Sequence, residues 1–172
     1  MQLMGVNKHT NKILYDSLPI LQKDVDLLLI GDLFIRVNLR KHGFRKANQH
    51  YRAEGFRSVT SMDINGKADI SIDLSIPVAR EYRNNYRAII NGGTAEHVSN
   101  QKIFFENIDD MAKVGAIIIH VGPEEGSFPG HCEYYYTEEF YYRYAKIFRY
   151  QILTIERHKH RQGWAIYGAF KK

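Results

Sequence analysis

The sequence contains a single cysteine, Cys132, among 172 residues. One thiol cannot form a disulfide within the chain, which excludes the class of small secreted domains that disulfides stabilise. Long hydrophobic runs are absent too, since the longest uncharged apolar runs, Leu27–Ile30 and Ala116–Ile119, are far too short to cross a bilayer. Residues 1–11 contain no apolar core of signal-peptide length. We therefore expect a cytoplasmic protein that has no membrane partner.

Proline-rich linkers, internal repeats and low-complexity tracts are also missing, and the chain has only four prolines. Hydrophobic residues make up 44% and charged residues 25%, which is the balance of an ordinary globular protein. A chain of 172 residues is long enough for one well-packed domain and too short for two comfortable ones. We therefore expect a single domain over residues 1–172, in which residues 1–25 form an amino-terminal extension.

The chain has no acidic excess, because its net charge is +5. Part of the basic excess lies in segment 36–57, which contains Arg36, Arg40, Lys41, Arg45, Lys46, Arg52 and Arg57. Basic residues on a helix usually form a solvated surface, and a phosphate-binding surface is the alternative. The segment therefore permits a nucleic acid as partner without requiring one.

Strand and helix signals alternate along the chain. Short apolar runs that end in glycine or turn residues predict strands at 26–31, 58–64, 68–74, 86–90, 116–121, 151–155 and 165–170. Apolar spacing and capping residues, including Ser99 and Thr137, predict helices at 38–54, 78–84, 100–113 and 138–148. Gly163 predicts a turn that makes the last two strands an antiparallel pair. This order predicts an α/β fold with a three-layer sheet of about seven strands, mostly parallel.

The stretch from Tyr86 to His97 is the most informative part of the sequence. A buried strand, Tyr86–Ile90, runs into a glycine turn that carries Asn91, Thr94, Glu96 and His97. In a parallel sheet, ligands bind just beyond the carboxyl ends of the strands. The polar residues therefore predict a functional site, and a tight turn followed by helix-capping residues is the alternative.

Short motifs from Met62 onward follow the order found in one known family. They are Asp63 at the end of the second strand, Asp73-Leu74 after the third, Glu96-His97-Val98 after the fourth, Lys113-Val-Gly115 at the end of a helix, and a strand that ends in His120 and Pro123. In these features residues 62–172 resemble class I S-adenosylmethionine-dependent methyltransferases. That family has a Rossmann-like fold of seven strands, of which the last is antiparallel.

The resemblance implies S-adenosyl-L-methionine as the cofactor. It implies that Asp63 binds the ribose hydroxyls, that Asp73 and Leu74 contact adenine, and that Asn91 and Gly92 line the methionine part. The full implied set of cofactor-binding residues is Gly31, Asp63, Ile64, Asp73, Leu74, Asn91 and Gly92. Both aspartates also have a simpler interpretation as turn or capping residues.

One motif of the family is nearly absent from this chain. Members usually carry a glycine-rich loop after the first strand, whereas here the segment reads Ile30-Gly-Asp-Leu-Phe-Ile35 and retains only Gly31. Leu33 and Phe34 carry side chains that could block the usual approach to a cofactor. Either the chain uses a variant loop or the cofactor site is degraded.

The resemblance implies methyl transfer, which depends mainly on holding the acceptor close to the methyl group. An oxygen acceptor also needs a base, and His97 and His131 are the candidates, because imidazole titrates near neutral pH. Glu96 completes the predicted catalytic set. A histidine at the start of a helix, bonded to a backbone carbonyl, is the simpler interpretation of His97.

A metal site is a further alternative. Some O-methyltransferases of the class, including those that act on the 3′ ends of small RNAs, hold a divalent ion with a Glu-x-x-Glu-His motif and a distant histidine. Glu96, His97 and His131 match part of that set, but Gly93 stands in place of the first glutamate. On the sequence alone we expect no metal.

Three consecutive tyrosines, Tyr134–Tyr136, follow the second candidate histidine, and we expect Tyr135 to face the substrate. The predicted function is transfer of a methyl group from S-adenosyl-L-methionine to an oxygen or nitrogen of a small molecule. An inactive methyltransferase-like binding or assembly subunit is one alternative. A nucleic-acid methyltransferase that uses segment 36–57 is the other.

Overall fold

The computed structural model describes residues 5–18, 24–36, 39–40 and 42–172. The helices are α1 (Lys8–Ser17), α2 (Ala47–Ala53), α3 (Gln101–Met111) and α4 (Glu138–Phe148). The strands are β1 (Asp26–Ile30), β2 (Ser58–Asp63), β3 (Ile70–Ser71), β4 (Tyr86–Gly92), β5 (Ala112–Pro123), β6 (Gln151–His160) and β7 (Gly163–Lys171). Among the described residues, no helix is long and apolar enough to cross a membrane.

The seven strands form one sheet in the order β3-β2-β1-β4-β5-β7-β6. Strands β1 to β5 pair in parallel, and β7 is antiparallel to both of its neighbours, β5 and β6. The predicted α/β architecture, with parallel strands and a terminal antiparallel hairpin, is confirmed. The chain reverses at β1, with β2 on one side and β4 on the other, which is the arrangement that creates a ligand crevice at the carboxyl ends of the strands.

Each face of the sheet is covered by its own pair of helices, because successive side chains of a strand point to opposite faces. On one face, Leu27 and Leu29 of β1 belong to a buried cluster that includes residues of α1 and α2. On the other face, Leu28 and Ile30 belong to a cluster that includes residues of α3 and α4. The three-layer packing follows from continuous apolar strands that are buried on both sides.

Capping side chains set the starts of α3 and α4, the two longest helices among the described residues. Thr137 accepts a hydrogen bond from the Phe140 amide at 3.1 Å, as predicted. The N-cap of α3 is Asn100 and not Ser99, because the Asn100 amide oxygen accepts from the Ile103 amide at 3.2 Å. Both caps satisfy backbone N–H groups that have no partner within the helix.

The predicted helix 38–54 is wrong over its first half; residues 38 and 41 lie outside the described part of the chain. Before α2, the chain instead returns alongside the segment that follows β1. Phe34 pairs with Lys46 in an antiparallel bridge, and the Ile35 amide donates to the Arg45 carbonyl at 2.9 Å. These contacts occupy backbone groups that a helix would use.

Two shorter elements also differ from prediction. The predicted helix 78–84 is a single 3-10 turn, Arg80–Tyr82, because Asn84 adopts a left-handed φ of 53° that ends it. The predicted strand 68–74 is reduced to β3, since the Asp73 carboxylate turns back to accept from the Ser75 amide at 2.8 Å. Strand β5 is longer than predicted and begins directly after α3.

Candidate functional site

Three strand ends meet at the carboxyl edge of the sheet. Ile30, the last residue of β1, lies opposite Met62 of β2 and Asn91 of β4. The Gly31 amide donates to the Met62 carbonyl at 2.7 Å, and the Thr94 hydroxyl donates to the Ile30 carbonyl at 3.0 Å. These bonds hold the segments after β1, β2 and β4 next to one another.

Asp63 connects the segments after β1 and β2. One carboxylate oxygen accepts from the Asp32 amide at 2.9 Å, and the other accepts from the Asn65 amide at 3.0 Å. A carboxylate has about four acceptor positions, so both oxygens can accept further bonds from a ligand. The half-buried Asp63 is therefore fixed in position and still able to bind hydroxyl groups.

Two cavities, of about 400 Å³ and 340 Å³, adjoin at this edge and share the residues Asp63, Gly93 and Thr94. Both fall within the size range of small-molecule pockets, about 300–1,000 Å³. The predicted residues that line the larger cavity are Gly31, Asp63 and Gly92. The predicted residues that line the smaller cavity are Asp63, Ile64, Asp73, Leu74 and His97. We call the two cavities together the edge groove.

Asn91 does not line either cavity of the edge groove. Its amide oxygen accepts from the Thr94 and Ala95 amides, both at 3.2 Å, and its nitrogen lies 3.2 Å from Nδ1 of His120. The Asn91 side chain is buried and shapes the turn after β4 from inside. Because Nε2 of His120 lies 3.1 Å from the Tyr144 hydroxyl, both ring nitrogens have partners. Burial lowers the pKa of His120 to about 3.

The segment that replaces a glycine-rich loop leaves the larger cavity open. Gly31 has a φ of 102°, and a Cβ there would lie 2.3 Å from Oγ1 of Thr94. Leu33 packs below the loop and is buried in the core, where its Cδ1 would lie 3.1 Å from a Cβ at Gly92. The Lys46 ammonium group lies over the ring of the half-buried Phe34, 4.9 Å from the ring centre. Leu33 therefore narrows the cavity from below without closing it.

Asp32, Lys46 and Lys67 line the edge groove, although no sequence pattern assigned them a role in a cofactor site. Asp32 and Lys46 form an ion pair at the wall of the larger cavity, next to Asn65 and Lys67. Thr94 lines both cavities. Thr94 was predicted as a site residue from its position in the turn after β4. Lys46 lies 14 residues after Asp32, and no local pattern connects the two.

The three residues predicted to be catalytic, Glu96, His97 and His131, come together beside the groove. One donor atom from each can be chosen so that all three lie within 4.8 Å of one another. Glu96 and His97 belong to the 3-10 turn Ala95–His97. The loop that carries His131 is held there because the Glu133 and Tyr134 amides both donate to the Glu96 carbonyl at 3.2 Å.

The Glu96 carboxyl group is the most unusual polar group of the cluster. It is 0% exposed, and neither of its oxygens has a hydrogen-bond partner among the described residues. The nearest cation-forming group is His131, whose Nε2 lies 3.9 Å from Oε1. Burial raises the pKa of Glu96 to about 7 and lowers the pKa of His97 and of His131. The cluster therefore holds groups that exchange protons near neutral pH.

Tyr135 is engaged by the protein itself. Its hydroxyl donates to the Phe128 carbonyl at 3.0 Å, and neither cavity of the edge groove includes it. The contact stabilises the loop between β5 and α4, the same loop that carries His131.

The basic segment 36–57 has many of its charges paired with acidic groups. Lys46 binds Asp32, and Arg52 lies 2.9 Å from Asp69. Nε of Arg57 donates to Asp26 at 2.9 Å. Residues 37, 38 and 41 of the segment lie outside the described part of the chain. Carboxylates paired in this way reduce the attraction for phosphate, so the structure adds no support for a nucleic-acid partner.

No protein-family model matches the sequence, and no curated protein matches it. Solved structures do match. The 1,6-didemethyltoxoflavin-N1-methyltransferase of Burkholderia thailandensis superposes with a TM-score of 0.63 at 10% identity, covering 87% of this chain and 71% of that one. A SAM-dependent methyltransferase of Methanosarcina mazei gives 0.61 at 15% identity and covers 98% of both chains.

A third similar structure is the N-methyltransferase NodS of Bradyrhizobium japonicum, with a TM-score of 0.62 at 11% identity, covering 94% of this chain and 93% of that one. The chain has the fold of class I S-adenosylmethionine-dependent methyltransferases. The predicted resemblance is thereby confirmed at the level of fold, and it extends to the amino-terminal part of the chain that the sequence motifs did not cover.

Proposed function

We propose that the protein is an S-adenosylmethionine-dependent methyltransferase that acts on an oxygen or nitrogen of a small molecule. The observation that carries the proposal is the edge groove, which lies at the strand ends where this fold binds ligands and is lined by Asp63, Asp73 and Leu74. The structurally similar 1,6-didemethyltoxoflavin-N1-methyltransferase, solved with bound S-adenosylhomocysteine and 1,6-didemethyltoxoflavin, supports both the cofactor and a small-molecule acceptor.

The residues of the groove fit the adenosine part of the cofactor. Asp63 lies where the two cavities adjoin and has free acceptor positions for the ribose hydroxyls. In the smaller cavity, the exposed Asp73 carboxylate would accept from the adenine amine, and the Leu74 side chain would pack against the ring.

The larger cavity fits the methionine part because it offers both charges. That part carries a carboxylate and an ammonium group, and Lys46 and Asp32 present the complementary cation and anion. A charge-assisted hydrogen bond is about twice as strong as a neutral one. Gly31 and Gly92 add no side-chain atoms to the wall of this cavity. A charged pair would thus do part of what a glycine-rich loop does elsewhere in this fold.

The cofactor supplies a methyl group already activated on a sulfonium sulfur. The protein then has to align the acceptor and accept its proton. Lowered pKa values keep the His97 and His131 imidazoles neutral at pH 7, so that a ring nitrogen can take that proton. The Glu96 carboxylate beside His131 would stabilise the imidazolium that forms.

The inactive-subunit alternative keeps one specific observation in its favour. Only Gly31 remains of the glycine-rich loop, and Leu33 occupies the space below it. On that alternative the fold persists as a binding or assembly subunit, and the groove does not bind the cofactor.

Titration calorimetry with S-adenosylhomocysteine separates the two. We expect saturable binding by the wild-type protein and at least about tenfold weaker binding by D63A, which loses a hydrogen-bonded acceptor. The matched control is D16N, an exposed aspartate paired with Lys12 on α1. Absence of heat at millimolar S-adenosylhomocysteine would refute the methyltransferase function. Equal affinities of D63A and D16N for S-adenosylhomocysteine would refute the assignment of the cofactor to the edge groove.

If S-adenosylhomocysteine binds, the acceptor class can be searched directly. Release of S-adenosylhomocysteine from S-adenosylmethionine is followed with panels of small phenols, hydroxy acids, amines and nitrogen heterocycles. We expect turnover with at least one oxygen or nitrogen nucleophile and a loss of turnover in H97Q. A protein that binds the cofactor product but turns over none of these acceptors would favour the inactive subunit.

A further inference from the structure

The carboxyl group of Glu96 is buried without a hydrogen-bond donor from the described residues. Moving a carboxyl group out of water without a hydrogen bond costs several kcal/mol, and an ionised one costs more. In the described part of the chain, His131 is the only group that forms an ion pair with Glu96 within the usual distance, and it does so at 3.9 Å. The site therefore lacks one positive partner that would satisfy the Glu96 oxygens.

Two imidazoles and a carboxylate are a donor set that divalent transition metals prefer. Glu96, His97 and His131 present one donor atom each within 4.8 Å of one another. Metal–ligand bonds of about 2.1 Å in tetrahedral geometry require donor atoms about 3.4 Å apart, so donor atoms of the cluster have to approach one another by up to about 1.4 Å. His97 is exposed and His131 is half-buried, so both rings can move by that amount towards the buried Glu96 carboxyl group.

The backbone holds the cluster in the register that such a site needs. Glu96 and His97 are neighbours on one 3-10 turn, and the same Glu96 residue accepts two amides of the loop that brings in His131. The rings of His97 and His131 lie edge to face, with centres 5.0 Å apart. The two imidazole rings are therefore in direct contact beside Glu96.

We propose that Glu96, His97 and His131 bind one divalent transition-metal ion, with Zn²⁺ as the reference ion. Three protein ligands leave at least one coordination position open, as in catalytic sites and unlike closed structural ones. His97 lines the smaller cavity, so the open position faces the edge groove. This donor set replaces the expectation of no metal that followed from the missing first glutamate of the sequence motif.

The role of the metal rests on the proposed function, whereas metal binding itself does not. A metal held by these three residues would coordinate the acceptor oxygen and lower the pKa of its hydroxyl group, whose proton would pass to solvent water. His97 and His131 then serve as ligands and not as the proton acceptors. The acceptor class narrows accordingly to a hydroxyl-bearing small molecule that can reach the groove.

Metal binding is tested on the full chain after treatment with a chelator and dialysis. Calorimetric titration with Zn²⁺, and visible absorption on adding Co²⁺, should show one equivalent bound. E96Q and H131Q should each weaken binding at least about tenfold. The matched control is H158Q. His158 stacks on His9 with ring centres 3.7 Å apart, so this pair of histidines tests the same substitution outside the groove.

Thermal unfolding guards against a loss of folding. E96Q resembles the neutral carboxyl group in shape, so in chelator it should unfold at or above the wild-type temperature. Zn²⁺ should raise the unfolding temperature of the wild type and of H158Q but not of E96Q. Equal Zn²⁺ shifts in the wild type and E96Q, no heat at millimolar Zn²⁺, or a loss confined to H158Q would each overturn the metal site.

The two proposals fail separately. Wild-type protein that binds Zn²⁺ but not S-adenosylhomocysteine keeps the metal site and loses the proposed function. Wild-type protein that binds S-adenosylhomocysteine but not Zn²⁺ keeps the proposed function and leaves the histidines as proton acceptors.

Discussion

Replacing Asn107 by aspartate should destabilise the protein more than replacing it by alanine, although aspartate is closer in shape. The Asn107 amide nitrogen of α3 donates to the carbonyls of Leu74 at 3.0 Å and Ile76 at 2.8 Å. Its oxygen accepts from the Val78 amide at 2.9 Å. The side chain is buried and holds the loop that follows β3.

The size of each effect follows from these contacts. N107A leaves the Leu74 carbonyl and the Val78 amide buried without partners, at about 1–3 kcal/mol each, so that the free energy of unfolding falls by about 2–6 kcal/mol. N107D keeps an acceptor for Val78 but places a carboxylate oxygen against two carbonyl oxygens. A buried ion without a partner costs several kcal/mol. N107D therefore loses the amide donor and also carries the cost of the buried carboxylate.

The difference between the two variants depends on pH. Burial and the facing carbonyls favour the neutral form, so the folded-state pKa of the introduced carboxyl group lies above its unfolded value of about 3.9. Its unfavourable effect therefore grows as pH rises from about 4 towards the folded-state pKa, and then stays constant. At pH 4 the group is protonated and can donate to one of the carbonyls.

Urea unfolding followed by circular dichroism at pH 7 and pH 4.5 measures both terms. The matched control is N85D, which makes the same chemical change in an exposed asparagine whose amide donates to the Glu81 carbonyl. N107D should be less stable than N107A at pH 7, with a smaller gap at pH 4.5. Equal stabilities at pH 7, or an equal loss in N85D, would show that the reasoning about the buried donor is wrong.

Two other perturbations follow from single contacts. Burial raises the pKa of Asp69, but hydrogen bonds from Arg52 and Ser61 outweigh it and lower the pKa to about 2. Asp69 therefore contributes stability above pH 4 that is lost as pH falls towards 2, and melting temperatures of the wild type and D69N should converge there. G92A places a Cβ 3.1 Å from Leu33, so it should cost about 1–3 kcal/mol. L33A should cost about 2–5 kcal/mol. Because the methyl group introduced by G92A and the Leu33 side chain would compete for one space, the G92A/L33A double variant should lose less stability than the sum of the two single variants, which chemical denaturation measures.

Local patterns were sufficient to predict the sheet and most of the groove. The β-branched run Ile117–Ile119 predicts a buried strand, and it is the centre of β5. Asp63 and Asp73 follow strands whose parallel pairing brings their ends to one edge, where both line the smaller cavity. Strand pattern and turn residues carry this information within about ten positions.

What sequence did not predict depends on contacts between distant residues. Asn91 faces inward because its partner His120 arrives 29 positions later. The segment after β1 is extended because Val6 and Arg45 pair with it from both sides, which no helical spacing reveals. The buried Glu96 is contacted by a loop that lies more than 30 positions later, since the Glu133 and Tyr134 amides donate to its carbonyl.

The two amide bonds to the Asp63 carboxylate have a consequence for the energetics of recognition. Because the Asp32 and Asn65 amides orient that side chain during folding, its rotamer freedom is already lost before any ligand arrives. Immobilising a side chain at a binding site otherwise costs about 0.5–1.5 kcal/mol. A ligand that meets Asp63 does not bear that entropy loss, and the folded state does. Ordering Asp63 on folding therefore lowers the stability of the chain slightly, and it leaves the groove with a rigid hydrogen-bond acceptor at its centre.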